Sequence, residues 1–171
     1  MHTSCIRGRP KLVGKGLYRR VFKVKNLVLK IQRDRSKGIK ELQKRAAAID
    51  SHQRKIRREL TFLPEYYGTV LAEVRDGGAP SPVIITFHEY VGPLPIYSIG
   101  TLKAIFGLIG KASEKGYMLD IKPSNFGRKG KRVLYLDEYG VGKGPLPPDL
   151  LEDINKFVKF ALGKLTIKRA G

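Results

Sequence analysis

The first part of the chain alternates apolar and polar residues around short turn signals. Between positions 11 and 32, the alternation is interrupted by Gly14-Lys15-Gly16 and by Lys25-Asn26. A period of two residues is typical of a strand that buries one face. The pattern therefore predicts three strands, at Leu12–Val13, Arg20–Lys25 and Leu27–Ile31.

A helical period replaces the alternation further along the chain. From Ile39 to Leu63 there is neither proline nor glycine, and apolar residues recur at roughly helical spacing. These residues are Leu42, Ala46, Ile49, Ile56, Leu60 and Leu63. We predict one long helix or two, ended by Pro64, because proline lacks an N–H and does not fit a helix interior.

The rest of the chain mixes both periods. Alternation predicts strands at Tyr66–Val74 and Val83–Phe87 around the turn Asp76-Gly77-Gly78, followed by the connector Gly92-Pro93-Leu94-Pro95. Beyond it we predict a helix at 99–115, a loop at Asp120–Phe126, a strand at Arg132–Asp137, a loop at Gly140–Pro148 and a last helix at about 149–165. This order predicts an α+β fold with a β-rich lobe at residues 1–91, which carries one main helix, and a helical lobe at 92–171.

The composition fits a globular protein. The chain has 171 residues, 42% of them apolar, which suits one domain or two small lobes that share a cleft. Cys5 is the only cysteine, so an internal disulfide and a thiolate metal cluster are excluded. No apolar run approaches the length of a membrane span, and the N-terminus lacks the apolar core of a signal peptide. We expect a cytoplasmic protein without a membrane span.

The charge is large and uneven. Lysine and arginine number 34 against 15 acidic residues, a net charge of +19, and residues 1–60 alone hold 19 basic and 4 acidic side chains. Such an excess predicts a polyanionic partner such as nucleic acid, an acidic protein or a phosphorylated ligand, with a plain solubility surface as the alternative. We expect a positive face formed by the cluster Arg54-Lys55-Ile56-Arg57-Arg58 on the predicted helix together with the basic residues that precede it, namely Arg33, Arg35, Lys37, Lys40, Lys44 and Arg45. Arg54, Lys55 and Arg57 are the residues to change first.

One segment carries a recognisable set of chemical groups. It is Asp120-Ile121-Lys122-Pro123-Ser124-Asn125, with Asp137 following twelve positions after Asn125 at the end of a predicted strand. Here the chain resembles the protein-kinase-like superfamily, whose catalytic loop has the pattern D-x-K-P-x-N and whose metal-binding aspartate follows about a dozen residues later. The alternative is an ordinary turn at Asp120 and a strand-end cap at Asp137.

The resemblance implies a role for each of these four residues. Asp120 would accept the proton of the attacking hydroxyl, and Lys122 would neutralise charge on the transferring phosphoryl group. Asn125 and Asp137 would bind Mg²⁺ or Mn²⁺, with Asp137 bridging the metal to the phosphates of ATP.

The resemblance extends upstream to a lysine and a glutamate. Val28-Leu29-Lys30-Ile31 is similar to the strand whose lysine holds the α- and β-phosphates, and the alternative is a charge on an edge strand that faces water. The glutamate paired with Lys30 would be Glu59 or Glu41. We favour Glu59, because the apolar Leu63 follows it one turn later.

The same resemblance suggests nucleotide contacts in two further segments. Gly14, Gly16 and Val21 follow the family's phosphate loop, except that Arg19 stands where its third glycine would be; a plain hairpin turn is the alternative. The run from Val83 to Val91 is similar to the family's hinge strand. The backbone of Glu89 and Val91 would then bind adenine, and His88 would guard the inner pocket or be a core histidine.

Several departures indicate an economical member of the superfamily. Met118-Leu119 stands where the family has H-R, Asp137-Glu138-Tyr139-Gly140 is one residue longer than D-F-G, and no A-P-E segment follows. The resemblance thus implies a two-lobed kinase-like fold with a truncated helical C-lobe, similar in economy to the RIO-like and lipopolysaccharide-kinase-like branches.

The implied activity is ATP-dependent transfer of a phosphoryl group. We expect a small serine/threonine protein kinase that uses ATP with Mg²⁺ or Mn²⁺ and is capable of autophosphorylation. The alternatives are a kinase acting on a small molecule or lipid-linked sugar, and a basic kinase-fold module that binds nucleic acid or a partner protein with little catalysis.

Overall fold

The computed structural model describes residues 9–15, 19–33, 38–74, 80–94, 98–138, 141–142 and 159. Four expectations from the sequence lie wholly or largely outside these residues: Gly16, the turn Asp76-Gly77-Gly78, the loop from Gly140 to Pro148 and the helix at 149–165.

Five antiparallel strands form a first sheet in the order β1-β2-β3-β5-β4. The strands are β1 Lys11–Lys15, β2 Arg19–Val24, β3 Leu27–Arg33, β4 Tyr66–Val74 and β5 Ser81–Glu89. All five predicted strands are confirmed, and β5 extends two residues further at each end than the alternation indicated. The valine, isoleucine and aromatic residues of these strands suit a pleated, half-buried surface.

Helix α1, Ile39–Glu59, connects β3 to β4 and covers one face of this sheet. Its Leu42 and Ala46 pack against Ile84 of β5. The prediction that the helix reaches Leu63 is wrong, because α1 ends at Glu59. Continued helix would place Phe62 on the solvent side of α1, whereas the turn that follows Leu60 buries it.

A second, smaller sheet has the antiparallel order β6-β7-β8. Its strands are β6 Gly92–Pro93, β7 Phe126–Lys129 and β8 Arg132–Tyr135. The expected connector at Gly92 and loop at Phe126 are therefore partly strand, and β8 ends two residues before Asp137. A Cβ atom on Gly127 would lie 2.6 Å from the Gly92 carbonyl oxygen, so the pairing of β6 with β7 requires glycine there.

Helix α2, Ile99–Glu114, precedes the loop that holds the main motif. The Ser98 hydroxyl caps its first turn by accepting from the Thr101 N–H at 3.2 Å. Gly116 ends it with a left-handed φ of 71°, and the Tyr117 N–H donates to the Ala112 carbonyl at 2.9 Å. Neither α1 nor α2, the helices of the described ranges, is long and apolar enough to cross a membrane.

The chain divides into two compact units. One comprises Met1–Ile56 and Glu65–Tyr90, and the other comprises Arg57–Pro64 and Val91–Gly171. The first contains the five-stranded sheet, and the second contains α2 and the small sheet. The α+β class is confirmed. The functional division at residues 1–91 and 92–171 stays a prediction, because compactness does not test which residues hold a nucleotide.

Candidate active site

The loop between α2 and β7 belongs to the second unit and alternates buried and accessible side chains. Tyr117, Leu119 and Ile121 are buried, whereas Asp120 is half-buried and Lys122 is exposed. The three buried side chains fix the loop to the core of the unit. The two charged side chains are consequently presented away from that core.

The main chain of Asp120 is held on both sides. The Tyr135 hydroxyl accepts a hydrogen bond from the Asp120 N–H at 3.0 Å and donates to the Asp120 carbonyl at 3.3 Å. That carbonyl also accepts from the Lys122 N–H at 3.0 Å and from the Asn125 amide nitrogen at 2.9 Å. Such a network restricts the directions in which the Asp120 carboxylate can point.

The Asp120 carboxylate and the Lys122 ammonium form an ion pair. Lys122 Nζ lies 2.7 Å from Asp120 Oδ2. The Lys122 side chain is 61% exposed and the Asp120 side chain is 27% exposed. A carboxylate that is positioned yet accessible can accept a proton from a bound hydroxyl group. The adjacent ammonium can neutralise negative charge that enters the same place.

Asn125 and Asp137 are brought towards Asp120 by short backbone links. The Leu136 N–H donates to the Asn125 carbonyl at 2.7 Å, and Asp137 follows Leu136 directly. Burial raises the pKa of Tyr135, and the negative charges of Asp137, Asp120 and Glu138 add to this rise. The negative charges of all three carboxylates thus act on the hydroxyl that holds the Asp120 main chain.

The donor atoms suit a magnesium ion that takes some of its ligands from the protein and the others from the phosphates of a nucleotide. Because the Asn125 amide nitrogen donates to Asp120, its amide oxygen is the atom that can bind a cation. Among the described residues, no cluster of three histidine, cysteine, aspartate or glutamate side chains forms a metal site. Mg²⁺ commonly takes one or two protein oxygens together with substrate phosphates and water, so Asn125 and Asp137 suffice only when phosphates are present.

Two buried tyrosines hold motif residues that the sequence did not connect to them. Besides Tyr135, the Tyr117 hydroxyl donates to Glu59 Oε2 at 2.5 Å. Burial, reinforced by this bond, raises the pKa of Tyr117 to about 12. A tyrosine in place of phenylalanine or leucine in a buried segment is the one signal that could have revealed both contacts, since a buried hydroxyl needs a partner.

In the first unit, three of the predicted nucleotide residues form one row across the sheet. Strand register pairs Gly14 with Val21, Val21 with Lys30, Lys30 with Thr86, and Thr86 with Thr69. Residues directly opposite each other on neighbouring strands share a face. Gly14, Val21 and Lys30 therefore lie on one face, although they come from three different strands.

Lys30 is half-buried at the centre of the sheet. It lies on β3, which is paired on both sides, so the alternative of an edge-strand charge is wrong. Ile84 lies two positions from Thr86 on β5 and shares its face, and Ile84 is the residue against which α1 packs. The row therefore lies on the face that α1 covers.

In the segment from Val83 to Val91, which is similar to the family's hinge strand, one of the backbone groups proposed to bind adenine is already bonded within the protein. The Glu89 N–H donates to the Glu65 carbonyl at 2.9 Å, so a backbone role of Glu89 towards a base falls to its carbonyl oxygen. Val91 is buried and belongs to the second unit. His88 is buried, with Nε2 2.8 Å from the Thr86 hydroxyl, which supports the core-histidine alternative.

Comparison with known proteins gives a partial structural likeness. No family model matches the chain, and no curated protein matches it. Three structures of WbdD are similar to part of it. A co-crystal structure with the kinase inhibitor LY294002 is 15% identical with a TM-score of 0.48, and covers 85% of this chain and 36% of WbdD. A high-resolution crystal structure is 16% identical with a TM-score of 0.48, covering 84% and 35%.

The third structure is of WbdD as a bifunctional kinase-methyltransferase. It is 16% identical with a TM-score of 0.46, and the match covers 83% of this chain and 34% of that protein. The chain thus spans about a third of the length of the solved structures that it matches. At TM-scores below 0.5, these likenesses assign no role to any residue.

Proposed function

We propose that this protein is an ATP-dependent phosphotransferase that acts on a hydroxyl group. The observation that carries the proposal is the arrangement around Asp120. Its main chain is held by Tyr135 and Asn125, and its accessible carboxylate is paired with Lys122. Phosphoryl transfer needs such positioning more than it needs covalent chemistry by the protein.

Three residues of the loop, together with Asp137, have proposed parts in the reaction. Asp120 accepts the proton of the acceptor hydroxyl while the oxygen of that hydroxyl forms a bond to the γ-phosphorus of ATP. The bond from that phosphorus to the β–γ bridging oxygen breaks, and ADP leaves with the electron pair. Lys122 neutralises charge on the transferring group, and Asn125 and Asp137 would hold Mg²⁺ or Mn²⁺. When bound, the ion neutralises phosphate charge.

The residues proposed for the nucleotide belong mainly to the first unit. Lys30 would hold the α- and β-phosphates, and Gly14, Gly16 and Val21 would lie along the nucleotide. The Glu89 carbonyl and the Val91 backbone would bind the base. Glu59 would keep Lys30 in place, with its own carboxylate held by Tyr117. The one-face row of Gly14, Val21 and Lys30 supports this part of the proposal.

The acceptor we propose is a serine or threonine hydroxyl of a protein, including the enzyme itself. The accessibility of Asp120 and Lys122 supports it, because a protein segment can reach only a carboxylate that solvent also reaches. The alternatives, a small-molecule or lipid-linked sugar acceptor, are distinguished by the product that carries the label, which would then be the small molecule or the lipid-linked sugar rather than a protein.

The test is transfer of label from γ-³²P ATP in the presence of Mg²⁺, with and without candidate proteins. Wild-type protein should transfer label to serine or threonine, and Asp120→Asn should lower the rate about 10²-fold or more with little change in ATP affinity. Glu114→Gln, which changes an exposed carboxylate at the end of α2, is the matched control. Absence of transfer by the wild-type protein, or an Asp120→Asn rate equal to that of wild type, would overturn the proposal.

A further inference from the structure

The solvent side of α1 carries a line of cations. Lys40, Lys44, Lys55 and Arg58 are all exposed. At 100° per residue they fall within a sector of about 60°, and from first to last they extend about 27 Å along the helix. We call these four residues the cationic face.

Packing fixes the direction of this face. The opposite side of α1 is buried through Leu42, Ala46, Gln53 and Ile56, so the helix cannot rotate the cations away from solvent. At 100° per residue, Ser51 is the one other α1 residue inside this sector, and the exposed small residues Ala47 and Ala48 lie about 20° to either side of it. The three acidic residues of α1, Glu41, Asp50 and Glu59, all lie about 40° or more outside the sector.

Two neighbouring arginines do not belong to the face, which corrects the choice made from the sequence. Arg54 Nε lies 2.8 Å from Asp50 Oδ2, and the hydrogen bond from Arg54 is the main reason why the pKa of Asp50 is lowered. Arg57 Nε donates to the Pro64 carbonyl at 2.8 Å. Of Arg54, Lys55 and Arg57, only Lys55 is therefore directed to solvent without a protein partner in the described residues.

We propose that the cationic face binds the sugar-phosphate backbone of double-stranded nucleic acid without sequence specificity. A protein partner would require apolar or aromatic anchors, and this face contains none. Single strands are usually held by aromatic residues that stack on bases, and these are also absent from α1. A straight line of cations separated by small side chains needs only a regular array of phosphates, which a duplex supplies.

The geometry also sets the expected strength. Lys40 and Lys44 are one turn apart, as are Lys55 and Arg58, and about 16 Å of helix separates Lys44 from Lys55. Four phosphate contacts predict a slope of about −3.6 for log K against log salt, a loss of roughly 10²-fold between 50 and 200 mM. Sequence-independent binding of this kind has a Kd of about 10⁻⁴ to 10⁻⁶ M.

The experiment measures binding of a fluorescent 20-base-pair duplex by anisotropy at several salt concentrations. The variant with Lys40, Lys44, Lys55 and Arg58 changed to glutamine should bind at least about 10-fold more weakly, with a nearly flat salt dependence. The matched control changes four exposed lysines of the second unit to glutamine, namely Lys103, Lys111, Lys115 and Lys131. It removes the same total charge and should bind within about threefold of wild type.

Three results would overturn the proposal. These are no complex by wild-type protein at ~10 µM and low salt, equal losses in the two variants, and displacement of the duplex by polyglutamate at equal charge. The last result would assign the face to acidic proteins. Melting temperatures show whether each variant is folded. If the fourfold variant does not fold, the double variant Lys44→Glu, Lys55→Glu replaces it, because it makes the same change in net charge with two substitutions. Because the readout needs no ATP, failure here leaves the phosphotransferase proposal standing.

Discussion

The loop around Asp120 and the row through Lys30 hold their charged groups by different means. Asp120 is fixed by hydrogen bonds from Lys122, Asn125 and Tyr135, all within fifteen positions along the chain. Lys30 is placed by strand register, which joins Gly14 at one end to Thr86 and Thr69 at the other. The loop is thus a local device, and the row is a property of the whole sheet.

This difference predicts how each region responds to change. A single substitution in the loop removes one hydrogen bond or one charge and leaves its other links in place. In the row, a side chain can change while the register persists, because the ladder depends on the backbone. Loss of function with an intact fold is therefore the expected outcome in both regions, and the size of the loss distinguishes the roles of their residues.

The largest effect is expected for Asp137→Asn, which changes a residue of the site around Asp120. The change removes the charged ligand of the proposed metal ion, so the rate of label transfer should fall about 10²- to 10³-fold. Mg-ATP should also lose most of its metal-dependent effect on the melting temperature, because a ligand stabilises the folded state only as far as it binds. Glu73→Gln, at an exposed position on β4, is the control. An unaltered Mg-ATP shift would contradict the metal assignment.

Lys30→Met tests the row with the next largest effect. Removing the ammonium should weaken ATP binding and slow label transfer by about 10- to 10²-fold, because a charge-assisted contact with phosphate is lost. Lys11→Met changes an exposed lysine on the same sheet and should leave both quantities unchanged. If both lysine variants behave alike, Lys30 contributes only to the general positive charge.

The sequence predicts regular elements where one face is buried and fails where a strand rests on close backbone approach. Strands β1 to β5 and helix α2 follow clear periods, but β6 and β7 do not. Gly92 pairs with Arg128 and Pro93 pairs with Gly127, and glycine and proline at these positions leave no apolar–polar alternation to detect. The end of α1 was missed because burial of Phe62 outweighs continuation of the helical pattern.

For the site, proximity along the chain decides what the sequence can show. The contacts of Asp120 with Lys122 and Asn125 lie within a six-residue motif, which a pattern can describe. The contact of Tyr117 with Glu59 joins residues 58 positions apart, and only the fold brings them together. The roles of these residues in phosphoryl transfer stay predictions until the variants are measured.

Tyr135→Phe tests whether the hydroxyl positions Asp120. The change leaves the Asp120 N–H without its acceptor in a buried place, which should lower the free energy of unfolding by about 1–3 kcal/mol. We expect kcat to fall about 10-fold while the KM for ATP stays within twofold, since nucleotide contacts are untouched. Tyr67→Phe, which removes an exposed hydroxyl bonded to Glu65 at 3.2 Å, is the control. Loss of stability with full kcat would make Tyr135 merely structural.

The smallest effect concerns Tyr117 and appears in the pH dependence of stability. Its pKa is about 12 in the folded protein, above its ordinary value of 10.0, so from pH 10 upwards the unfolded chain releases this proton first. The unfolded state then binds fewer protons than the folded state, and the free energy of unfolding falls as pH rises towards 12. Tyr117→Phe lacks this proton, so its free energy of unfolding should fall less steeply with pH. The difference in slope should correspond to at most one bound proton per molecule.

The same variant lacks the hydrogen bond to Glu59 and should be about 1 kcal/mol less stable than wild type near neutral pH. The free energies of unfolding of the two proteins should therefore converge as the pH rises above 10 and cross before it reaches 12, whereas the curve of Tyr67→Phe should run parallel to that of wild type. Denaturant titrations at each pH measure this directly. A Tyr117→Phe curve that stays parallel to wild type throughout would show that Tyr117 is not held in its neutral form by burial and Glu59.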